Sequence, residues 1–319
     1  MAYPETMAGT GPIVERLSAA ARDTTFSALE VTHIEDPGDR AAARRVLETA
    51  GLRVVFAGTV PLAHSGLSLS DTSPRRRRSA VELACSLVDE AGELGAELVY
   101  VISGPDPGPS GRAAARRALF ESLGEICRYA REHRASLRPG GVRLAIEPAD
   151  RDIDHRELAG PFDEVIPLVE EIRRDFPEFG LVVDQSHLLQ LGEDPARVLP
   201  RCARYVWDYH LANAVLDDPA HPRYGDKHPP FGTAGGRVGV PELADYLRLI
   251  ARVTAGPAAP PFVNLEVRPG PGEDPDLVVA GAKRAFTRAW NIAWAAASAI
   301  PDVAPDRGPD AAPDAGAEI

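Results

Sequence analysis

The chain has 319 residues, 44% of them apolar and 26% charged, enough for one large core beneath a charged surface. Its 35 Lys and Arg against 47 Asp and Glu leave a net charge of −12, which disfavours nucleic acid as a partner because phosphates would have to be neutralised. Cys85, Cys127 and Cys202 are too few and too scattered for a disulfide framework or a zinc knuckle, so a reducing, cytoplasmic setting is expected.

The opening MAYPETMAGTGP lacks the basic-then-apolar pattern of a signal peptide. A first strand is expected within residues 2–7, before a helix over 12–22. Residues 26–33 (FSALEVTH) read as the second strand and 39–50 as the next helix. GLRVVFAG, from Gly51, gives the third strand. A loop rich in Ser and Pro leads to a helix over 77–94. Near its start lies the basic run Arg75 to Arg78, either a solvated helix end or a phosphate or partner contact. Strand 96–102 and helix 111–133 follow, then strand 141–147 and a loop holding Asp150, Arg151, Asp152 and His155. The rest reads as helix 162–175, strand 179–184, short helix 194–199, strand 203–210, a loop rich in Pro and Gly over 213–237, helix 241–252, strand 262–267 and helix 276–298. The apolar stretch 289–300 is too short to span a bilayer, so no membrane partner is expected.

Eight strands alternating with helices fit an α/β protein folded as a single (β/α)8 TIM barrel over residues 1–300. Residues 301–319 are almost all Pro, Asp, Ala and Gly, and should form a disordered tail. No Gly-rich dinucleotide fingerprint follows the first strand, and no P-loop is present.

Four apolar runs end in groups able to hold a metal: LAIEP at Glu147, LVVDQSH at Asp184 and His187, YVWDYHLAN at His210, and FVNLEVRP at Glu266. An apolar core gains nothing from such groups unless they are paired or ligated. In a barrel the C-terminal ends of all strands open on one face, where chemistry sits. Glu147, Asp184, His210 and Glu266 would then be neighbours around one rim. Three carboxylates and one imidazole suit one divalent ion, Mn2+ first, with Mg2+, Co2+ or Zn2+ as alternatives. Glu147 and Asp184 could instead cap the helices that follow them. His187, three residues past Asp184, is read as a substrate contact or a helix cap. Asp226, Lys227 and His228 lie in the long loop as substrate contacts in a lid; alternatively Asp226 and His228, with His187, are ligands of a second ion. Trp207 either walls the pocket or packs the barrel, and Arg268 could meet an anionic group. Arg151 and His155 are further substrate-contact candidates; His33, Glu35 and His64 are weaker ones.

With these motifs in their order, the chain resembles the xylose isomerase-like TIM barrel superfamily. The resemblance is to its sugar isomerase/epimerase branch, which holds tagatose/psicose 3-epimerases and inosose isomerases and dehydratases. It covers nearly all of residues 1–298. It implies one divalent ion on Glu147, Asp184, His210 and Glu266. It also implies Glu147 and Glu266 as the proton-transferring pair, with His187 against the substrate oxygens. Asp226-Lys227-His228 resembles the Asp-x-His of endonuclease IV, but VISGP at the fourth strand end lacks the histidine that repair enzyme uses. Ile153 stands where the family has a second carboxylate. The activity implied is isomerisation or epimerisation of a small keto-sugar or cyclic polyol ketone. Two alternatives stay open. One is a lyase using the same enolate, by inosose dehydration or 3-keto C-glycoside cleavage. The other is a non-catalytic sugar-binding or partner subunit. A homo-oligomer or a hetero-oligomeric assembly is compatible with either.

Overall fold

Among the described residues seven short runs, mostly apolar, form parallel strands: β1 (Ala28–Val31), β2 (Arg53–Ala57), β3 (Leu98–Val101), β4 (Arg143–Ile146), β5 (Gly180–Asp184), β6 (Val206–Leu211) and β7 (Phe262–Leu265). They pair in sequence order, each beside the next. Near-continuous apolar runs suit a sheet covered on both faces. The chain is a single, nearly closed TIM barrel. This computed structural model describes residues 1–133, 140–254 and 260–295. The expected tail at 301–319, and the end of the last helix at Ser298, lie outside the described residues.

The outer layer holds α1 (Ile13–Ala21), α2 (Pro37–Thr49), α3 (Thr59–Ser65), α4 (Pro74–Leu94), α5 (Arg112–Glu132), α6 (Phe162–Ile172), α7 (Gln185–Gln190), α8 (Pro195–Cys202), α9 (Val240–Val253) and α10 (Pro275–Trp294). Asp-Pro opens three of them. Asp36, Asp194 and Asp274 each accept a backbone N–H of the first turn, while Pro at the first helical position has no N–H to leave unpaired. Among the described residues no helix is long and apolar enough to cross a membrane.

The strand expected within residues 2–7 does not form. Pro4 has no amide proton for a ladder, and Pro4–Thr6 make one 3-10 turn. β7 therefore comes beside β1 at the seam of the ring, where Asn264 Nδ2 donates to Glu30 Oε2 across 3.4 Å.

The barrel interior is filled in layers, as a packed core rather than a pore. At its N-terminal end Arg53 donates to Glu97 at 2.8 Å, and Arg143 lies 3.8 Å from the same carboxylate. Each guanidinium also covers an aromatic face, Arg53 over Phe262 at 4.0 Å and Arg143 over Trp207 at 4.4 Å. Above them Val55, Leu98, Ala145 and Val182 form an apolar plug. Gly180 is required beside this plug: a Cβ there would meet the Trp207 indole at 2.2 Å and Tyr205 O at 2.4 Å. Because a backbone oxygen cannot swing away, Gly180→Ala should cost roughly 1–3 kcal/mol, the usual range for overpacking. Urea unfolding monitored by circular dichroism checks this.

Candidate metal centre

The polar residues begin where the plug ends. Glu147 directly follows β4, and its amide donates to Val101 O at 3.0 Å; Glu266 follows β7, donating to Leu211 O at 3.0 Å. Asp184 and His210 are register partners at the ends of β5 and β6. One donor atom from each of the four lies within 4.8 Å of all the others. His210 Nδ1 stands 2.8 Å from Glu266 Oε2, 3.4 Å from Glu147 Oε1 and 3.8 Å from Asp184 Oδ2. Donors held about 2.0–2.2 Å from one ion sit roughly 3–4 Å apart, so the cluster has the size of a cage.

The residues present fit such an ion. Asp184 Oδ2 and His210 Nδ1 are buried and make no hydrogen bond, which is costly unless a ligand supplies the partner. Three carboxylates with one imidazole suit a hard or borderline divalent cation. Asp184 also caps a helix, since its Oδ1 accepts the amides of Ser186 at 2.5 Å and His187 at 3.0 Å at the start of α7. Cap and cage member are the same residue, one oxygen for each. Glu147 caps no helix; Pro161 stands at the start of α6.

A second cluster continues from the first. His187 Nδ1 lies 3.1 Å from Pro148 O, and its Nε2 lies 3.1 Å from Asp226 Oδ1. His155 Nε2 meets the other oxygen of Asp226 at 2.8 Å, and Gln190 Nε2 donates to Asp226 Oδ1 at 3.1 Å. His228 bridges the clusters, with Nε2 3.5 Å from Asp184 Oδ2 and 3.6 Å from Glu266 Oε2. Its backbone is left-handed, at φ 41°, a conformation that costs a non-glycine residue about 1 kcal/mol or more and gathers at functional sites. Arg268 N holds it there by donating to His228 O at 2.8 Å. Two triads in this region bring donor atoms together, His155/His187/Asp226 and Asp184/His187/His228.

In the metal-free protein these histidines counter the carboxylates. Burial pulls the His228 imidazolium down, but Asp226, Glu266 and Asp184 outweigh it and lift its pKa to about 9. His187 and His210 are likewise opposed by burial yet held well above the ordinary value, His187 chiefly by Asp184 and Asp226, His210 chiefly by Glu266 and Glu30. For Asp184 and Asp226 burial pushes up, and the facing histidines drive both far below the usual range. Burial dominates at Glu266 and raises it. A raised histidine pKa gives stability fully present below the unfolded value near 6.5 and lost as pH climbs through the folded value. The depressed aspartates give stability present above about pH 4 and lost as pH falls below it. The metal-free protein should therefore have its highest Tm between about pH 4 and 6.5 and lose stability steadily toward pH 9. Divalent-ion affinity should move the opposite way, strengthening as pH rises, because ligation by His210 requires a neutral ring. Calorimetry across pH with and without Mn2+ reads both.

The other sequence candidates divide by position. His155, His187, Asp226, His228 and Arg268 line the same cavity as the cage, a space of ≈ 920 Å³. His33 and His64 line it farther out, and His33 Nδ1 lies 2.6 Å from Glu90. Arg151 is committed to structure, donating to Glu164 at 2.9 Å and to Leu158 O at 2.7 Å. Lys227 Nζ donates to Asp154 at 3.0 Å on the surface, and Glu35 is exposed. Trp207 sits at the barrel bottom beneath Arg143, its Nε1 donating to Glu178 O at 3.0 Å.

Sequence reasoning passed over Glu30, Tyr100, Asp208 and Asn264, which lie directly beneath the cage. A signal was present. Asp208 and Asn264 each precede a cage residue by two, and a spacing of two puts side chains on the same side of a strand.

No curated protein matches the chain. Among solved structures it is similar to a D-tagatose 3-epimerase-like protein, at 17% identity and TM-score 0.65 over 85% of this chain and 91% of that one. It is similar to L-ribulose 3-epimerase at 16% identity and TM-score 0.66, over 89% and 91%. Similarity to 3-keto-D-glucoside 4-epimerase from E. coli is 14% identity and TM-score 0.63, over 87% and 95%. At these identities the likeness is one of fold. The family model for the xylose isomerase-like TIM barrel matches residues 18–257, three quarters of the sequence, and with the barrel and its rim cluster this places the chain in the xylose isomerase-like TIM barrel family.

Proposed function

We propose that this protein is a divalent-metal-dependent isomerase or epimerase acting on a small keto-sugar or cyclic polyol ketone. The observation that carries the reading is the convergence of Glu147 and Glu266, from strands three places apart, on His210 Nδ1 at 3.4 and 2.8 Å. Two carboxylates at one small site are what a proton removed and returned across a carbonyl compound requires. A bound divalent ion, Mn2+ first, with Mg2+, Co2+ or Zn2+ as alternatives, supplies Lewis-acid stabilisation of the developing negative charge.

The chain's own residues do the rest. One glutamate removes the proton next to the ketone, giving an enediolate. The other returns a proton to the opposite face of the same carbon, or to the neighbouring carbon once the hydroxyl proton has passed from one substrate oxygen to the other. His187, oriented by its contacts to Pro148 O and Asp226, is placed to bond a substrate hydroxyl. A second ion at His187, Asp226 and His228 is the alternative use of that corner.

The test is proton exchange in D2O by the Mn2+-loaded protein, followed by NMR over a panel of ketoses and inososes. Deuterium washed into the carbon beside the ketone, without elimination, is the expected result. Binding with no exchange on any member would overturn it in favour of a sugar-binding or partner subunit. A lyase is the second reading, favoured by the size of the cavity. Besides Glu147, His210 and Glu266 of the cage it is lined by His33 and His64, leaving room for a substituent on the β carbon. Loss of a β substituent from the panel would establish it. The cytoplasmic setting and an oligomeric assembly belong to the same proposal.

A further inference from the structure

We propose that Glu30 and Asp208 are positioning residues that hold the far side of the His210 ring and so fix which nitrogen His210 offers to a cation. The inference rests on reading Glu147, Asp184, His210 and Glu266 as a metal cage. His210 Nδ1 faces the three cage carboxylates, whereas Nε2 faces the other way, 3.2 Å from Glu30 Oε2 and 3.7 Å from Asp208 Oδ2, close to both without a formed hydrogen bond to either. A neutral imidazole that keeps its proton on Nε2, toward a facing carboxylate, leaves its lone pair at Nδ1, the form a cation needs.

The two lower carboxylates are themselves built in. Tyr100 OH donates to Glu30 Oε1 at 2.8 Å. Asn264 Nδ2 donates to Asp208 Oδ2 at 2.7 Å and reaches Glu30 Oε2 at 3.4 Å. Tyr100 also meets the His210 ring edge-on, with centroids 5.5 Å apart, which limits ring rotation. Asp208 is fully buried, and its Oδ1 has no hydrogen-bond partner. A carboxylate in that position costs stability and serves no packing purpose. The arrangement draws on strands β1, β3, β6 and β7, so it is a feature of the closed ring rather than of one loop.

The experiment is Mn2+ affinity by chelator competition for the full chain and for Asp208→Asn, Glu30→Gln and the double variant, with the metal-free Tm of each recorded. Groups that contact the far nitrogen of a ligating histidine typically account for 10–100-fold in metal affinity. Each single variant should lose roughly tenfold and the double variant more, with the metal-free Tm used to confirm that each variant is folded at the temperature of the titration. In the Zn2+-loaded wild type, 15N NMR should show His210 protonated at Nε2 alone, and the double variant should lose that single form. Should Asp208→Asn fail to fold, Tyr100→Phe, which removes only the donor to Glu30, should still weaken Mn2+ binding several-fold. Wild-type affinity in the folded variants, or a His210 ring protonated at Nδ1, would overturn the inference. A wild type that binds no divalent ion would instead sink the metal cage itself, a distinguishable failure.

Discussion

Glu147→Gln is expected to lower kcat for deuterium exchange by roughly 10²–10⁴-fold at saturating Mn2+, the range that a positioned acid or base contributes. The amide keeps a ligating oxygen and nearly the same shape, so the buried rim stays packed. What it loses is the ability to take up a proton. Glu266→Gln should cause a loss of similar size, and the two together little more than either alone, because residues acting as one unit are not additive. Quantifying washed-in deuterium with each variant separates them from a ligand defect, since a ligand defect is recovered by more metal. Full exchange in Glu147→Gln on an identified substrate would remove Glu147 from the proton-carrying pair.

The second large effect is expected at His210. In the wild type, Mn2+ at 100 times its Kd should stabilise the folded state by about 2.7 kcal/mol. His210→Ala should abolish that gain along with the activity. The variant exchanges an imidazole among three carboxylates for empty space, so those carboxylates lose their cationic neighbour when no metal is present. Its metal-free form should therefore be less stable than the wild type at pH 6 and closer to it at pH 9, because the stabilisation from a raised histidine declines once pH passes the unfolded value near 6.5. Thermal scans at the two pH values, with Mn2+ and with EDTA, decide the matter. An undiminished Mn2+ shift in His210→Ala would exclude this ring as a ligand.

The rim cluster was legible because a barrel makes remote strand ends into neighbours, and LAIEP, LVVDQSH, YVWDYHLAN and FVNLEVRP each end an apolar run in a polar group. The alternation of elements was legible for the same reason. What stayed hidden depended on side-chain direction and on partners distant in sequence. Glu30 in FSALEVTH looks like the polar half of an alternating strand, yet it turns inward beneath His210. Arg151 follows a strand end as a substrate contact would, but Glu164 on the next helix claims it. Tyr3 and Pro4 seemed to open a first strand, and the missing amide of Pro4 left a 3-10 turn instead. The loop at 213–237 looked simply long. Its fold is set by Asn213, whose side chain accepts Val238 N at 2.8 Å and donates to Pro230 O at 3.0 Å, pairings no local pattern announces.

Asp184 divides its two oxygens between the α7 amides and the cluster. The carboxylate is thus aimed by backbone that is in place whether or not a cation has arrived. Loading of the proposed cation at this corner should need no refolding, and its timing should follow dehydration of the incoming ion rather than chain rearrangement. A swap to glutamate would keep the charge but lengthen the arm by one methylene, releasing either the amides or the ion. Such a variant would pit helix nucleation directly against ion capture within a single side chain.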